Sequence, residues 1–498
     1  MNFSGGCNKR FFAIFRLKPD HVKTSALLII GFLFITIVRT GHAQTFRSNN
    51  TELNESFVWA RNKALSFAHH GGDPVGLWYE AALPNREAFC MRDVSHQAIG
   101  AEILGLGKHN LNMFLKFASN ISPQKDYCSY WEINRYNKPA PVDYTSDKDF
   151  WYNLPANFDI VYNAYRLFEW TGDVTYLNHA AFRNFYSLSM NEYVQHWQLG
   201  YDQVLGRKRT QHHEASRRFG INRGIPTYNE GGRGETKLGI DMTASLVAAY
   251  RAYTAILNLT HREKEAVIME DRARRTAQIL DYFWWDQQKK EYKSVQYMDG
   301  SFDYFMVGDD QAFLQYPIYF GAIQDQSRIR QIVDTYRERY PQIIVELKSY
   351  LPIIFYENGQ SALATRMIIE LCQPGNKRRD YPENSFTIME HITRGLMGIN
   401  ASASTKTIST QSRLAGAEDW AELTDVPVLG GKISVRHDSS GTALTNHLKT
   451  NVTWKAIVDG RHDYLHVNGT RTKTQEDGNG NVFVILEVAS NQTAKVEI

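Results

Sequence analysis

The sequence predicts a mainly α protein: an (α/α)6 barrel followed by a small C-terminal β-sandwich domain. Three observations lead there. Apolar residues recur with helical spacing in twelve segments between residues 53 and 398. Connections before even-numbered segments, at 71–90, 123–154, 198–238 and 374–383, are long, whereas several before odd-numbered ones are only a few residues. After Ile399 the pattern changes to short alternating runs separated by Gly, Asn and Asp.

The twelve segments fall at about 53–70, 91–106, 108–122, 155–171, 173–197, 239–259, 262–284, 309–322, 326–340, 344–356, 359–373 and 384–398. FDIVYNAYRLFEW (158–170) and LVAAYRAYTAIL (246–257) follow a 3.6-residue period rather than alternation. Gly172-Asp173, Asn258 and Gly359 mark helix ends. Twelve helices in succession make six hairpins, with the even-numbered helices inside if the set closes. Every long loop then lies on one rim, where a rigid scaffold presents a site. A solenoid of helix pairs is the alternative, but no repeat of constant length runs through the chain. Ala401-Ser-Ala-Ser-Thr-Lys reads as a linker, and KISVRHD, VTWKAIVDG, DYLHVNG, NVFVILEVA and AKVEI read as strands. The expected domains are a signal peptide at 1–43, a barrel at 44–400 and a β-sandwich at 401–498. The last would support the barrel or bind carbohydrate.

Lys9, Arg10, Arg16, Lys18 and Lys23 form a basic region ahead of an apolar run from Ala26 to Val38. Gly41-His42-Ala43 then places small residues at −3 and −1 before Gln44. The run is shorter than the ~20 residues that span a bilayer. A cleaved signal and a periplasmic or secreted protein are expected, with no membrane partner after cleavage; an uncleaved anchor is the alternative. Loss of six Lys/Arg and Asp20 takes the formal charge from +3 to −2, which argues against nucleic acid as partner. Cys90, Cys128 and Cys372 remain, too few for a disulfide framework and without zinc-finger spacing. No GxSxG, P-loop, HExxH or strand-linked GxGxxG is present, and His212-His213 is a weak metal pair. Neither cofactor nor metal is expected.

Aromatic residues make up 13% of the chain, with 27 Tyr and 10 Trp. Most must be core; those in long polar loops could stack on pyranose faces. Hydrolysis of a glycosidic bond usually takes two carboxyl groups flanking the bond, so rim loops carrying carboxylates among aromatic and basic neighbours are the places to look. MRDVSHQ puts Arg92, Asp93 and His96 at the start of the second helix, where Asp93 could equally be a cap. YCSYWEINRYNKPAPVDYTSDKDFWYNLPANFD carries Trp131, Trp151 and Tyr152 among Glu132, Asp143, Asp147, Asp149, Asn153 and Asn157. A loop this long and aromatic in a compact domain is usually functional. Arg92, Asp93, His96, Trp131, Glu132, Trp151, Tyr152, Asn153, Asn157 and, further on, Tyr228 are the expected sugar contacts. Between Arg207 and Arg223 lie six Lys/Arg with Glu214 as the one acid, either a solvated face or an attractor of anionic glycans. Tyr228, Asn229 and Glu230 follow, then two glycines that allow close approach to a ligand. RRDYPENSFTIMEHITRGLMGI places Asp380, Glu383 and Glu390 at the last helix, where Glu383 could simply complement the helix dipole. Asp309 and Asp310 are a further pair or caps.

The Arg92-Asp93 pair resembles glucoamylase-like and related six-hairpin glycosidases, which place an Arg-Asp pair at the start of their second helix to hold the sugar being cleaved. That resemblance, architectural over about residues 50–400, implies a general acid in the loop before the sixth helix, where Glu230 stands with Glu235 in reserve. It implies a base at Glu383. The Glu-Glu acid motif of true glucoamylases is absent. Asp149 is the other catalytic candidate, since some unsaturated-glucuronyl hydrolases on this fold use aspartates from early hairpins. DKDFWYNLPANFD is similar to exported enzymes of glycoside hydrolase family 154 with β-glucuronidase activity. The expectation is an exo-acting glycoside hydrolase on acidic oligo- or polysaccharides, releasing a uronic acid. A carboxyl separation of about 6.5–9.5 Å would imply inversion. The rivals are a polysaccharide lyase using His96 or Tyr152 with Arg92, a non-catalytic glycan-binding protein and, more distantly, an epimerase.

Overall fold

The computed structural model describes residues 44–83, 85–207, 218–219, 223–229, 235–305, 313–478 and 480–498. The expected signal segment, Glu230, Asp309, Asp310 and the His212-His213 pair lie outside these residues. Each of the twelve periodic segments contains helix: α1 (Thr51–Ser66), α2 (Met91–Ile103), α3 (Gly107–Ser119), α4 (Ala156–Thr171), α5 (Ala180–Leu188) and α6 (Ile240–Leu259). The second half holds α7 (Glu263–Ile279), α8 (Gln315–Tyr319), α9 (Gln326–Arg339), α10 (Leu351–Glu357), α11 (Ser361–Cys372) and α12 (Pro382–Glu390). Among the described residues no helix is long and apolar enough to cross a membrane.

Two segments are broken where one helix is expected. Residues 173–197 divide at His179 into Thr175–Asn178 and α5, which a π-helical turn at Ser189–Tyr193 carries on into Val194–His196. Residues 344–356 divide into Val345–Lys348 and α10, whose first turn carries Pro352. Proline suits a first turn because its missing N–H would have no intrahelical partner there.

Burial separates inner from outer helices. α2 buries 12 of 13 residues and α12 all nine. α1 buries five of 16 and α7 five of 17. The even-numbered helices therefore face one another, and their contacts close a ring. α2 packs on α4, α4 on α6, α6 on α8 and α8 on α10; α10 meets the turn His391–Leu396 that prolongs α12, and α12 returns to α2. Odd-numbered helices pack outside as hairpin partners, α7 on α6 and α11 on α10. α2 is rich in polar residues yet almost wholly buried, so its Asp93, Ser95, His96, Gln97 and Glu102 lie inside the molecule.

Two sheets follow the barrel. The larger has seven strands and takes in Ala421–Val428, Gly431–Asp438, Gly441–Asn446 and Thr493–Glu497; the smaller has five, centred on Val452–Val458. The larger sheet's edge is Thr45–Ser48, paired antiparallel with Ala421–Val428. Residues assigned by sequence to the barrel thus belong to the β part, because a strand completes a ladder irrespective of its distance along the chain. The expected linker at Ala401 is instead a hairpin, with Asn400–Ser402 pairing antiparallel to Thr407–Gln411. Its Ser-Ala-Ser composition marks the turn rather than a tether. The Trp170 indole donates to the Pro427 carbonyl at 2.9 Å, tying α4 to the sandwich.

α2 and α12 approach so closely that a Cβ on Gly100 would collide with the Phe386 carbonyl oxygen. Gly100→Ala is expected to destabilise the protein by at least about 2 kcal/mol, since the obstacle is backbone and cannot rotate away. Gly72→Ala, with open space at its Cβ, should be close to neutral. Chemical denaturation of the two variants checks this.

Candidate active site

Small sheets on the rim bring distant loops together. Ala88–Cys90 pairs with Glu132–Asn134, setting Glu132 opposite Cys90, and the Met91 amide donates to the Trp131 carbonyl at 3.0 Å. Tyr152–Asn153 runs parallel to Arg223–Ile225, and the Asn153 amide donates to the Thr227 carbonyl at 2.7 Å. This carries Tyr228 to Arg92, whose guanidinium lies 5.6 Å from the Tyr228 ring centre. A cavity of about 360 Å³ results, lined by Ala82, Leu83, Arg86, Cys90, Arg92, Asp93, Trp131, Glu132, Asp143, Trp151, Glu346, Arg378 and Tyr381. Every one of these residues precedes an inner helix or stands in its first turn. A wider cleft of about 590 Å³ lies between α1, α11 and the sandwich, but no buried charged side chain lines it. The chemistry is concentrated in the smaller cavity.

Burial governs the charges there. Arg92 donates to Asp93 Oδ1 from Nε and Nη2 at 3.2 and 3.1 Å. Burial still raises the Asp93 carboxyl above its ordinary range, because Arg92 only partly offsets the lost hydration. Glu132 accepts from Arg86 Nη1 at 2.6 Å, and the same nitrogen lies 3.6 Å from Asp143. Burial, then the neighbouring Asp143 carboxyl, push Glu132 up to about 8. Glu132 Oε1 and Asp143 Oδ2 are both buried without a donor among the described residues. A proton held on Glu132 and offered to Asp143 satisfies both atoms. Glu346 pairs with Arg378. The cavity therefore combines a carboxyl protonated at neutral pH, ionised groups beside it and two tryptophans.

The residues expected from sequence divide into those on the cavity and those behind it. Arg92, Asp93, Trp131, Glu132 and Trp151 line it. Tyr228 backs Arg92 and donates its hydroxyl to Asp159. Asn153 accepts the Trp151 indole N–H at 2.7 Å, fixing that ring from behind. Tyr152 and Asn157 are buried and bonded to each other at 2.5 Å, away from the cavity. His96 is buried under Tyr350, with stacked ring centres 3.4 Å apart, and burial lowers its pKa well below the usual value.

Both described catalytic candidates need correction. Asp149 accepts the backbone N–H groups of Phe219 and Arg218 at 2.7 and 3.3 Å, so it anchors the basic loop and does not line the cavity. Glu383 is 1% exposed, with Oε1 3.5 Å from His96 Nε2. Burial, then the charge of Asp93, raise its pKa well above normal, and it does not line the cavity. Glu235 is exposed, Asp380 lies 3.4 Å from Lys63, and Glu390 sits deep between Arg166 and Arg394. The basic loop is likewise partly structural, since Arg223 is buried against Asp126.

Sequence reasoning missed Arg86, Glu346, Arg378 and Tyr381. Their shared signal was position, just ahead of an inner helix; their types, charged residues beside helix ends, did not stand out. Among the described residues no group of three or more His, Cys, Asp or Glu is placed to hold a metal ion.

No family model matches the sequence, and no curated protein does. Solved structures do share the fold. An alpha-L-rhamnosidase from Dictyoglumus thermophilum superposes over 92% of this chain and 50% of its own, with a TM-score of 0.60 at 11% identity. A GH78 family rhamnosidase of Bacillus sp. GL1 covers 79% of this chain and 40% of its own, at TM-score 0.56 and 13% identity. A sialidase covers 91% and 41%, at TM-score 0.53 and 11% identity. The chain spans about half or less of the length of these proteins, and identity this low establishes the fold alone.

Beneath the cavity, Glu390 accepts from Arg166 and Arg394 at 2.5 Å each, and these partners outweigh burial to bring its pKa down to about 2. A depressed carboxyl contributes stability above its unfolded pKa of about 4.3, lost as pH falls toward 2. Glu390→Gln strands two guanidinium groups and should cost about 3–5 kcal/mol at pH 7. Denaturation from pH 7 to 2 should show this deficit shrinking as the wild type loses its own ion pairs.

Proposed function

We propose that the protein is an exported glycoside hydrolase that releases a terminal sugar, a uronic acid, from acidic oligo- or polysaccharides at the barrel-mouth cavity. The observation that carries this reading is Glu132, a cavity carboxyl kept protonated by burial and by Asp143, with Arg86 at hand. Such a group can protonate a departing glycosidic oxygen at neutral pH, and Arg86 then stabilises the carboxylate left behind. Trp131 and Trp151 offer ring surface to a pyranose, and Arg92 with Asp93 offers a donor and acceptor pair to its hydroxyls. The second carboxyl has two candidates. Glu346 faces the cavity beside Arg378, and Glu230 follows Asn229 in the segment whose Tyr228 backs Arg92.

Support for a uronic acid comes from three guanidinium groups on one small cavity, Arg86, Arg92 and Arg378. Rhamnosidases and a sialidase share the fold, so fold does not choose the sugar. The lyase reading loses its bases, because neither His96 nor Tyr152 lines the cavity and burial holds the Tyr152 hydroxyl well above its normal pKa.

Aryl β-glucuronide and a panel of neutral aryl glycosides, assayed beside Glu132→Gln, Glu230→Gln and Glu346→Gln, test the proposal. Uronic acid release is expected, with kcat/KM reduced about 10²–10⁴-fold by Glu132→Gln. Wild-type kcat/KM should fall as pH rises through about 8, because the acid must carry its proton. Whichever of the other two variants loses activity comparably supplies the second carboxyl. Release of neutral sugars alone would remove the uronate; unsaturated product ends would hand the site to the lyases. Binding without turnover would leave a glycan-binding protein. N-terminal sequencing of protein exported by a bacterial host should begin at Gln44.

A further inference from the structure

The cavity has a second lobe. A pocket of about 220 Å³ shares Leu83, Arg378 and Tyr381 with it and is otherwise walled by the connection between α11 and α12, including Asn376, Arg379 and Asp380. Exposure rises from one lobe to the other. Of the walls the lobes do not share, Cys90, Asp93, Trp131 and Glu132 of the first are buried, whereas Pro374 and Asp380 of the second are exposed. A sugar seated in the deep lobe therefore continues outward past Tyr381 and Arg378.

The charges of the outer lobe are unequally compensated. Arg378 faces Glu346, and Asp380 lies 3.4 Å from Lys63. Arg379 instead lies over the Trp59 ring, 4.4 Å from its centre, and its Nε is buried with no hydrogen-bond partner among the described residues. The ring holds the guanidinium in place but supplies no opposite charge. No ion pair among the described residues neutralises this guanidinium, and an anionic ligand group in the pocket it lines would supply the counter-charge. The planar fork of arginine matches carboxylate and sulfate alike.

We propose that the outer lobe is the leaving-group subsite, and that Arg379 selects substrates with an anionic group, carboxylate or sulfate ester, on the residue next to the terminal sugar. This rests on the hydrolase reading above and adds the substrate class.

The test uses the whole protein with three disaccharides that share one terminal uronic acid and differ in the second residue: neutral, uronate or sulfated. Arg379→Met and Arg379→Lys are compared after thermal melts establish that they fold, with Arg379→Gln in reserve should methionine unsettle the packing on Trp59. The wild type should prefer one or both anionic disaccharides by about tenfold in kcat/KM, mainly through KM. The preference should collapse in Arg379→Met and be partly kept in Arg379→Lys, and the anion that shows it separates carboxylate from sulfate. Equal use of all three disaccharides by the wild type, or a preference that survives Arg379→Met, overturns the proposal. If none is cleaved, calorimetric binding of the same set decides. An Arg379-dependent preference keeps the lobe and removes the hydrolase, and its absence overturns both.

Discussion

Gly100 lies against the Phe386 carbonyl where α2 meets α12, and this backbone approach sets the geometry of the barrel mouth. Any side chain at that position would part the two helices. With them together, the first turns of both helices converge, so that Asp93 raises the pKa of Glu383 and Tyr381 touches both. The ring of inner helices closes through the same contact.

Closing the ring forces polar side chains into a place that disfavours charge. The structure answers in two ways. Where a carboxylate has arginines on two sides it stays ionised, as Glu390 does between Arg166 and Arg394. Where burial outweighs counter-charge the carboxyl is pushed up, as in Glu383 and, to about 8 each, in Asp159 and Glu132. Of these three Glu132 lines the cavity. Location separates it from the others, since the electrostatic condition is common to all three.

The supporting groups explain why the 130–157 loop is so aromatic and yet only partly a binding surface. Trp131 and Trp151 face the cavity, while Tyr152 and Asn157 bond to each other behind it. Asn153 joins the layers, accepting from the Trp151 indole and donating to the Thr227 carbonyl. Asp149 has the same supporting character, binding the amides that begin the basic loop's return.

The sequence by itself determined the twelve helices, their alternation inside and out, and the rim on which the site lies, because these depend on local periodicity and loop length. It also singled out Trp131, Glu132 and Trp151, since polar and aromatic residues without an apolar period have no helical core role to hide in, and Arg92 and Asp93 by their place at the start of the second helix. Only the tertiary structure decided which carboxyl faces the cavity and which lies behind it. Glu132 and Glu383 are the same residue type, each beside an inner helix, and nothing in their neighbours along the chain separates a cavity wall from a sealed interior. Strand Thr45–Ser48 escaped for a related reason, as its partner lies more than 370 residues away. A pKa and a strand pairing are both set by what surrounds a residue in space, and that surrounding is assembled from segments far apart in sequence.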